Sequence, residues 1–252
     1  MKALLLSLFF VSSFSFGSGG FLPDNNLWIP TDAKRVSNVT EEEFNKVITL
    51  ITEVYSPIVA EQGKVLKIEG AWNDGTVNAY ASQPGNQMKV NLFGGLARHE
   101  AMTLDGFIIV VCHELGHHLG GTPKKFPGLW ASAEGQSDYY STNVCLKTLY
   151  AEFVNLHPKT ENEFAVSKCS EVYSDPSLCV RSAMAALAVG NIFHAFDREV
   201  KPLSLETPDL NVVTRTNASG YPGTQCRVDT YFQGALCDNM NIQCRPKCWF
   251  AN

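Results

Sequence analysis

Beyond its first sixteen residues this 252-residue chain has no apolar run of the roughly 20 residues that a membrane-spanning helix needs. The nearest, residues 107–112 and 182–193, are too short. There is no Pro/Ser-rich linker, internal repeat or low-complexity tract, so residues 18–252 read as a single domain. No basic cluster is present either. The 20 Lys and Arg are dispersed among 25 Asp and Glu, giving a formal net charge of -5, which argues against nucleic acid and anionic membranes as partners. The CxxC pairs typical of zinc knuckles are also missing.

The N-terminus does carry a leader pattern. Met1-Lys2 followed by the apolar residues 3–16 has the charged and apolar regions of a secretory signal, and small residues at Ser15 and Gly17 place cleavage near Gly17. Residues 1–17 are therefore expected to be a signal peptide. The mature chain is expected to be exported to a periplasm or the extracellular space, with no transmembrane segment. Eight cysteines in such a compartment favour disulfides over free thiols, although they allow on the order of a hundred pairings. Local spacing favours Cys169 with Cys179, Cys226 with Cys237 and Cys244 with Cys248, leaving Cys112 and Cys145 as a buried pair. A zinc knuckle of Cys237, Cys244 and Cys248 is the weaker alternative in an oxidising compartment.

From Thr40, "TEEEFNKVITLITEVYSPIV" opens with a capping threonine and three acidic residues, then places Phe44, Val47, Ile48, Ile51 and Val54 at helical spacing. "KVLKIEGAW" and "TVNAYASQPGNQMKVNLFGGL" read as strands broken at Asn73-Asp74-Gly75 and Pro84-Gly85-Asn86. A helix over residues 104–119 has an apolar, buried first half and closes at Gly120-Gly121. A second long helix is expected over about 132–156, stopped by His157-Pro158, and a third over about 177–196. The tail from Lys201 onward is rich in turns and cysteines.

Within the 104–119 helix lies "CHELGHHLGG". Positions four apart share a helix face, so His113 and His117 can direct imidazoles at one tetrahedral ion. Glu114, about 100° further round, can reach a water at that ion without being a ligand. Chance would place HExxH in roughly one chain per hundred of this composition, and here it falls on a strong helix. A catalytic zinc takes three protein ligands, and Glu134, seventeen residues after His117, supplies the third. Asp138, one turn later on the same face, can accept the outer N–H of a ligating histidine. His118 points away and reads as a packing or surface residue; His99, His157 and His194 are lone histidines of structural type.

Together these residues resemble the gluzincin metallopeptidases, in particular the family of the heat-shock protease HtpX and the CAAX prenyl protease. "VNAYASQPGNQMKVNLFGGLARH" is similar to that family's two strands and Gly-Leu turn before the catalytic helix. "DGFIIVVCHELGHHLGG" is similar to the helix itself, and "EGQSD" to its glutamate-ligand motif. The family's later His-Pro and Arg correspond here to Tyr221, Pro222 and Arg227, with tyrosine replacing histidine. The resemblance implies an α+β, zincin-like domain: a small sheet packed on an active-site helix and a glutamate-ligand helix, here disulfide-containing. It implies one Zn²⁺ on His113, His117 and Glu134, Glu114 as general base, and Tyr221 donating to a developing oxyanion. Arg227 organises substrate or site, or else is only paired at the surface.

The expected activity is zinc-dependent hydrolysis of a peptide or protein substrate, with an extended peptide adding to the edge strand at residues 78–81. The alternative of another class is a non-catalytic zinc-stabilised peptide-binding or chaperone-like module. A third is a disulfide-stapled structural protein without metal.

Overall fold

The Thr40 hydroxyl accepts the Glu43 N–H while the Glu43 carboxylate accepts that of Thr40, a reciprocal cap that opens α1 (Glu41–Ala60) in the computed structural model. Phe44, Val47, Ile51, Tyr55 and Val59 form its buried stripe. The structure describes residues 19–153, 162–197, 201–237 and 241–251; the expected leader and the expected helix stop at His157-Pro158 lie outside them.

Three strands follow, β1 (Val65–Ala71), β2 (Ala79–Ser82) and β3 (Gln87–Phe93), in the order β1-β3-β2. β3 runs parallel to β1 and antiparallel to β2. Along β3, Met88, Val90 and Leu92 alternate into the core. After the short α2 (Gly94–Ala97) comes α3 (Leu104–Leu119), over the expected residues. Thr103 caps it by accepting the Gly106 N–H, and Gly121 at φ 76° turns the chain away at its end. α1 packs on β1 and α3 on β2 and β3, with Phe44 stacked on Phe107 at 5.0 Å between the two helices.

The next helix is not one unbroken rod. It comprises α4 (Glu134–Tyr140), a π-helical turn over Ser141–Cys145, and α5 (Leu146–Phe153). The widened turn aims Thr142 and Asn143 at carbonyls of Tyr231, Gly234 and Cys237. α6 (Glu163–Ser170) and α7 (Ser177–Phe193) follow, with a 3₁₀ turn carrying the latter to Phe196. Contrary to the expectation from apolar run length, Ser177–Phe196 is long and apolar enough to cross a membrane; 67% of its apolar window is buried inside the protein, as in a core helix.

The tail holds a helix that its turn-rich composition conceals, α8 (Thr224–Leu236). Its cap is Gly223, which offers no side chain, and its buried face includes Arg227, Asp229 and Thr230, so neither a cap nor an apolar stripe announces it. α8 packs against α7, α4 and the π turn. One continuous hydrophobic cluster runs from Phe21 to Ala235; a smaller one holds Trp249 and Phe250.

All eight cysteines are paired. Cys112–Cys145 and Cys169–Cys179 are as expected, but Cys226–Cys248 and Cys237–Cys244 replace the two expected tail pairings. Cys226 and Cys237 lie near opposite ends of α8, about 16 Å apart along its axis, beyond the reach of a disulfide. With Cys237, Cys244 and Cys248 all oxidised, the zinc-knuckle alternative fails. Four disulfides are compatible with an oxidising, exported environment.

Candidate metal centre

Helical periodicity carries three side chains inward together. His113, Glu114 and His117 lie on α3, each fully shielded from solvent, with one donor atom apiece inside a span of 4.8 Å: a group that could hold a metal ion. Glu134, the first residue of α4, brings its carboxylate beside them. Its Oε2 lies 3.2 Å from His113 Nε2 and its Oε1 3.7 Å from His117 Nε2. Gly116 permits this approach, because a Cβ there would sit 2.9 Å from the Ser137 Cα of α4. The Cys112–Cys145 disulfide ties α3 to the π turn one residue before His113.

The outer imidazole nitrogens are engaged. His113 Nδ1 bonds Asp138 Oδ1 at 2.7 Å; His117 Nδ1 donates to the Ser132 carbonyl at 2.8 Å, with the Ser137 hydroxyl at 3.0 Å. These acceptors keep a proton on Nδ1 and turn both Nε2 atoms inward. Among the described residues, His117 Nε2 and both Glu114 oxygens have no hydrogen-bond partner, and His113 Nε2 and Glu134 Oε2 have only each other, 3.2 Å apart. Buried polar atoms left so are costly, and this set of imidazole nitrogens and carboxylate oxygens is the donor chemistry of a divalent-cation site.

Burial and neighbouring charge set the protonation of the cluster. Burial pushes the Glu114 carboxyl up to about 8, with His113 opposing and Glu134 reinforcing. Burial also takes His117 down to about 3. For His113 burial acts downward, but the Asp138 and Glu134 carboxylates outweigh it and lift the imidazole to about 9. Burial would raise Glu134, yet His117, His113 and Lys125 hold it well below the usual carboxylate range; Lys125 Nζ donates to its Oε1 at 2.6 Å.

Asp138 stands behind His113, where the ExxxD spacing puts it, and is itself held from α8. Arg227 Nε donates to its Oδ2 at 2.8 Å and Nη2 to its Oδ1 at 2.9 Å, while the Tyr231 hydroxyl also donates to Oδ1. Arg227 is therefore no surface arginine; it is 2% exposed and reaches the cluster through Asp138. Tyr221 also lies near the site, but its hydroxyl donates to the Gly20 carbonyl at 2.5 Å, with the Leu22 carbonyl at 3.2 Å.

Several groups at the centre escape the sequence reading: Phe21, Lys125, Ser132, Ser137 and Tyr231. Only Tyr231 leaves a trace, four residues after Arg227 and so on the same helix face. Phe21 sets its ring edge-on to His113, centroids 5.1 Å apart. The expected substrate edge at residues 78–81 is covered by the chain's own residues 20–22, through the Gly20–Tyr80 bridge and the Phe21 N–H bonded to the Ala79 carbonyl.

The remaining histidines stay apart from the cluster. His118 stacks on Trp130 at 4.5 Å and bonds the Lys89 carbonyl; His99 accepts the Ala101 N–H. His194 faces a different cavity of about 260 Å³, lined also by Asp197, Asp209 and Gln225, and His157 lies outside the described residues. A second group with ligand atoms in range, Asp209 with Cys226 and Cys248, is no metal site because its sulfurs form a disulfide. No family model, curated protein or solved structure matches this chain.

Proposed function

We propose that the protein is a zinc-dependent peptidase with a zincin-like fold, akin to the HtpX and CAAX prenyl protease family, in which His113, His117 and Glu134 hold one Zn²⁺. The carrying observation is the arrangement of donors: two imidazoles fixed from outside through Nδ1, their Nε2 atoms facing Glu134, and a Glu114 carboxyl in the same buried cluster with no hydrogen-bond partner among the described residues. Two histidines and a carboxylate form a donor set that suits zinc and leaves a fourth position open.

When bound, the ion supplies Lewis acidity toward a water and a scissile amide carbonyl. Glu114 takes the proton from that water as its oxygen forms a bond to the carbonyl carbon. It then gives the proton to the amide nitrogen as the C–N bond breaks. Glu114, fully buried in the same cluster as both histidines, is placed to take the proton and pass it on. Asp138, clamped by Arg227 and Tyr231, keeps His113 in the tautomer that presents Nε2 to the metal. Arg227 thus acts on His113 through Asp138. Tyr221 would have to release the Gly20 carbonyl for its hydroxyl to reach an oxyanion.

The rival reading, a metal-stabilised module that binds chains without cutting them, is favoured by the complete burial of His113, Glu114, His117 and Glu134. Against it stands Glu114, a costly buried carboxylate that a purely structural metal site does not need. Stripping the purified protein with a chelator should abolish cleavage of a proteome-derived peptide library, and stoichiometric zinc should restore it. Zinc-loaded protein that cleaves nothing in such a library would establish the rival.

A further inference from the structure

Residues 20–22 are bonded on both sides. Toward β2, the Phe21 N–H donates to the Ala79 carbonyl at 2.9 Å, and the Asn78 side chain takes both the N–H (3.0 Å) and the carbonyl (3.1 Å) of Leu22, copying a strand partner. From the other side, Tyr221 donates to the Gly20 carbonyl at 2.5 Å and Arg227 Nη1 to the Phe21 carbonyl at 3.1 Å. Phe21 and Leu22 are fully buried. The Phe21 ring meets His113 edge-on at 5.1 Å and Phe193 at 5.3 Å, and lies 5.1 Å from the Arg227 guanidinium carbon. One aromatic residue therefore touches both the imidazole proposed to bind metal and the arginine that holds that imidazole's carboxylate partner.

We infer that residues 20–22 are an integral part of the metal site and that Phe21 is a positioning residue for His113. Asp138 fixes the His113 ring only through Nδ1, leaving rotation about that hydrogen bond to be limited by packing, which Phe21 at 5.1 Å and His117 at 4.8 Å provide together. Its carbonyl also fixes the third arm of Arg227, whose other two arms hold Asp138. The segment is thus a wall of the site rather than a peptide lying in a cleft. This inference rests on the reading of His113 as a metal ligand.

The test uses the full chain with Phe21→Ala, Phe21→Leu and Gly20→Val. A Cβ at Gly20 would sit 2.5 Å from the Asn78 side-chain amide, so Gly20→Val displaces the side chain that brackets Leu22 and loosens the segment. Three quantities are read: zinc affinity by competition with a chromogenic chelator, water exchange of the His113 Nδ1 proton by NMR, and peptide hydrolysis at saturating zinc. Phe21→Ala and Gly20→Val should weaken zinc binding by about tenfold or more and speed exchange of that proton. Phe21→Leu, which keeps an apolar side chain of most of the buried volume while removing the ring, should fall in between and decides the matter if the others do not fold. Unchanged affinity and exchange in the folded variants overturn the inference; a concurrent rise in hydrolysis would instead mark the segment as a removable plug. If every form binds zinc and none cleaves peptide, the peptidase reading fails while affinity and exchange still decide the role of Phe21.

Discussion

Replacing Arg227 by Met removes two charge-assisted hydrogen bonds to Asp138, at 2.8 and 2.9 Å, and one to the Phe21 carbonyl, at 3.1 Å. Both charged groups are shielded from solvent, 2% exposed for Arg227 and 0% for Asp138. Removing one partner of a buried pair costs about 3–5 kcal/mol, because the other charge is left uncompensated. Here Tyr231 and His113 still serve the carboxylate, which places the expected loss near the lower end, about 3 kcal/mol. Burial acts to raise the Asp138 pKa and Arg227 is the chief influence holding it down, so the variant makes Asp138 easier to protonate and a poorer acceptor for His113. Zinc affinity should then fall by about 10–100-fold. Urea unfolding of wild type, Arg227→Met, Asp138→Asn and the double variant measures the coupling directly. The double variant should lose less than the sum of the singles by about 2 kcal/mol. Additive losses, or a cost for Arg227→Met below about 1 kcal/mol as for an exposed pair, would refute this account of the network.

Gly116→Ala should push α4 from α3, since its Cβ would lie 2.9 Å from Ser137 Cα and 3.0 Å from its carbonyl oxygen; the expected cost is about 1–3 kcal/mol, with weaker zinc binding because Glu134 rides on α4, and unaltered affinity in a chelator competition would contradict it. His118 is held down to about 4, against 6.5 unfolded, by burial. The unfolded chain therefore binds more protons between these values, so stability is full above pH 6.5 and is lost as pH falls toward 4, by up to about 3 kcal/mol. His118→Gln should flatten that part of the urea-midpoint curve relative to wild type, and parallel curves would count against the reasoning. Replacing both Cys112 and Cys145 by Ala opens a link spanning a sequence separation of 33 and should cost about 4 kcal/mol by loop-closure entropy; an unchanged urea midpoint would exclude that contribution.

The part of the site legible in the sequence is the part built from local patterns. α3 announces itself within one segment, through Thr103, the apolar run and the closing glycines, and HExxH spacing on a helix dictates which side chains share a face. Glu134 and Asp138 are one turn apart and so arrive together. The supporting side was hidden because it is assembled across the chain. α8 buries Arg227 and Asp229 to meet partners from other elements, which erases the apolar stripe that would reveal it. Phe21 reaches His113 from a segment too short and irregular for any periodicity, bound partly by an asparagine 56 residues away from Leu22. Local spacing also misled the tail disulfides, since the 13-residue α8 holds Cys226 and Cys237 apart and each then pairs with a cysteine beyond the helix. The Tyr221 and Arg227 spacing was visible, yet only the fold shows that both hold the N-terminal segment from behind.

Glu114→Gln isolates the central claim, because it removes a proton acceptor from the buried cluster without touching His113, His117 or Glu134. Zinc content and peptide-library cleavage should be measured on the same preparations of wild type and variant. Close to one zinc per chain is expected in both, and cleavage only in wild type. Undiminished cleavage by the zinc-loaded variant would contradict that claim.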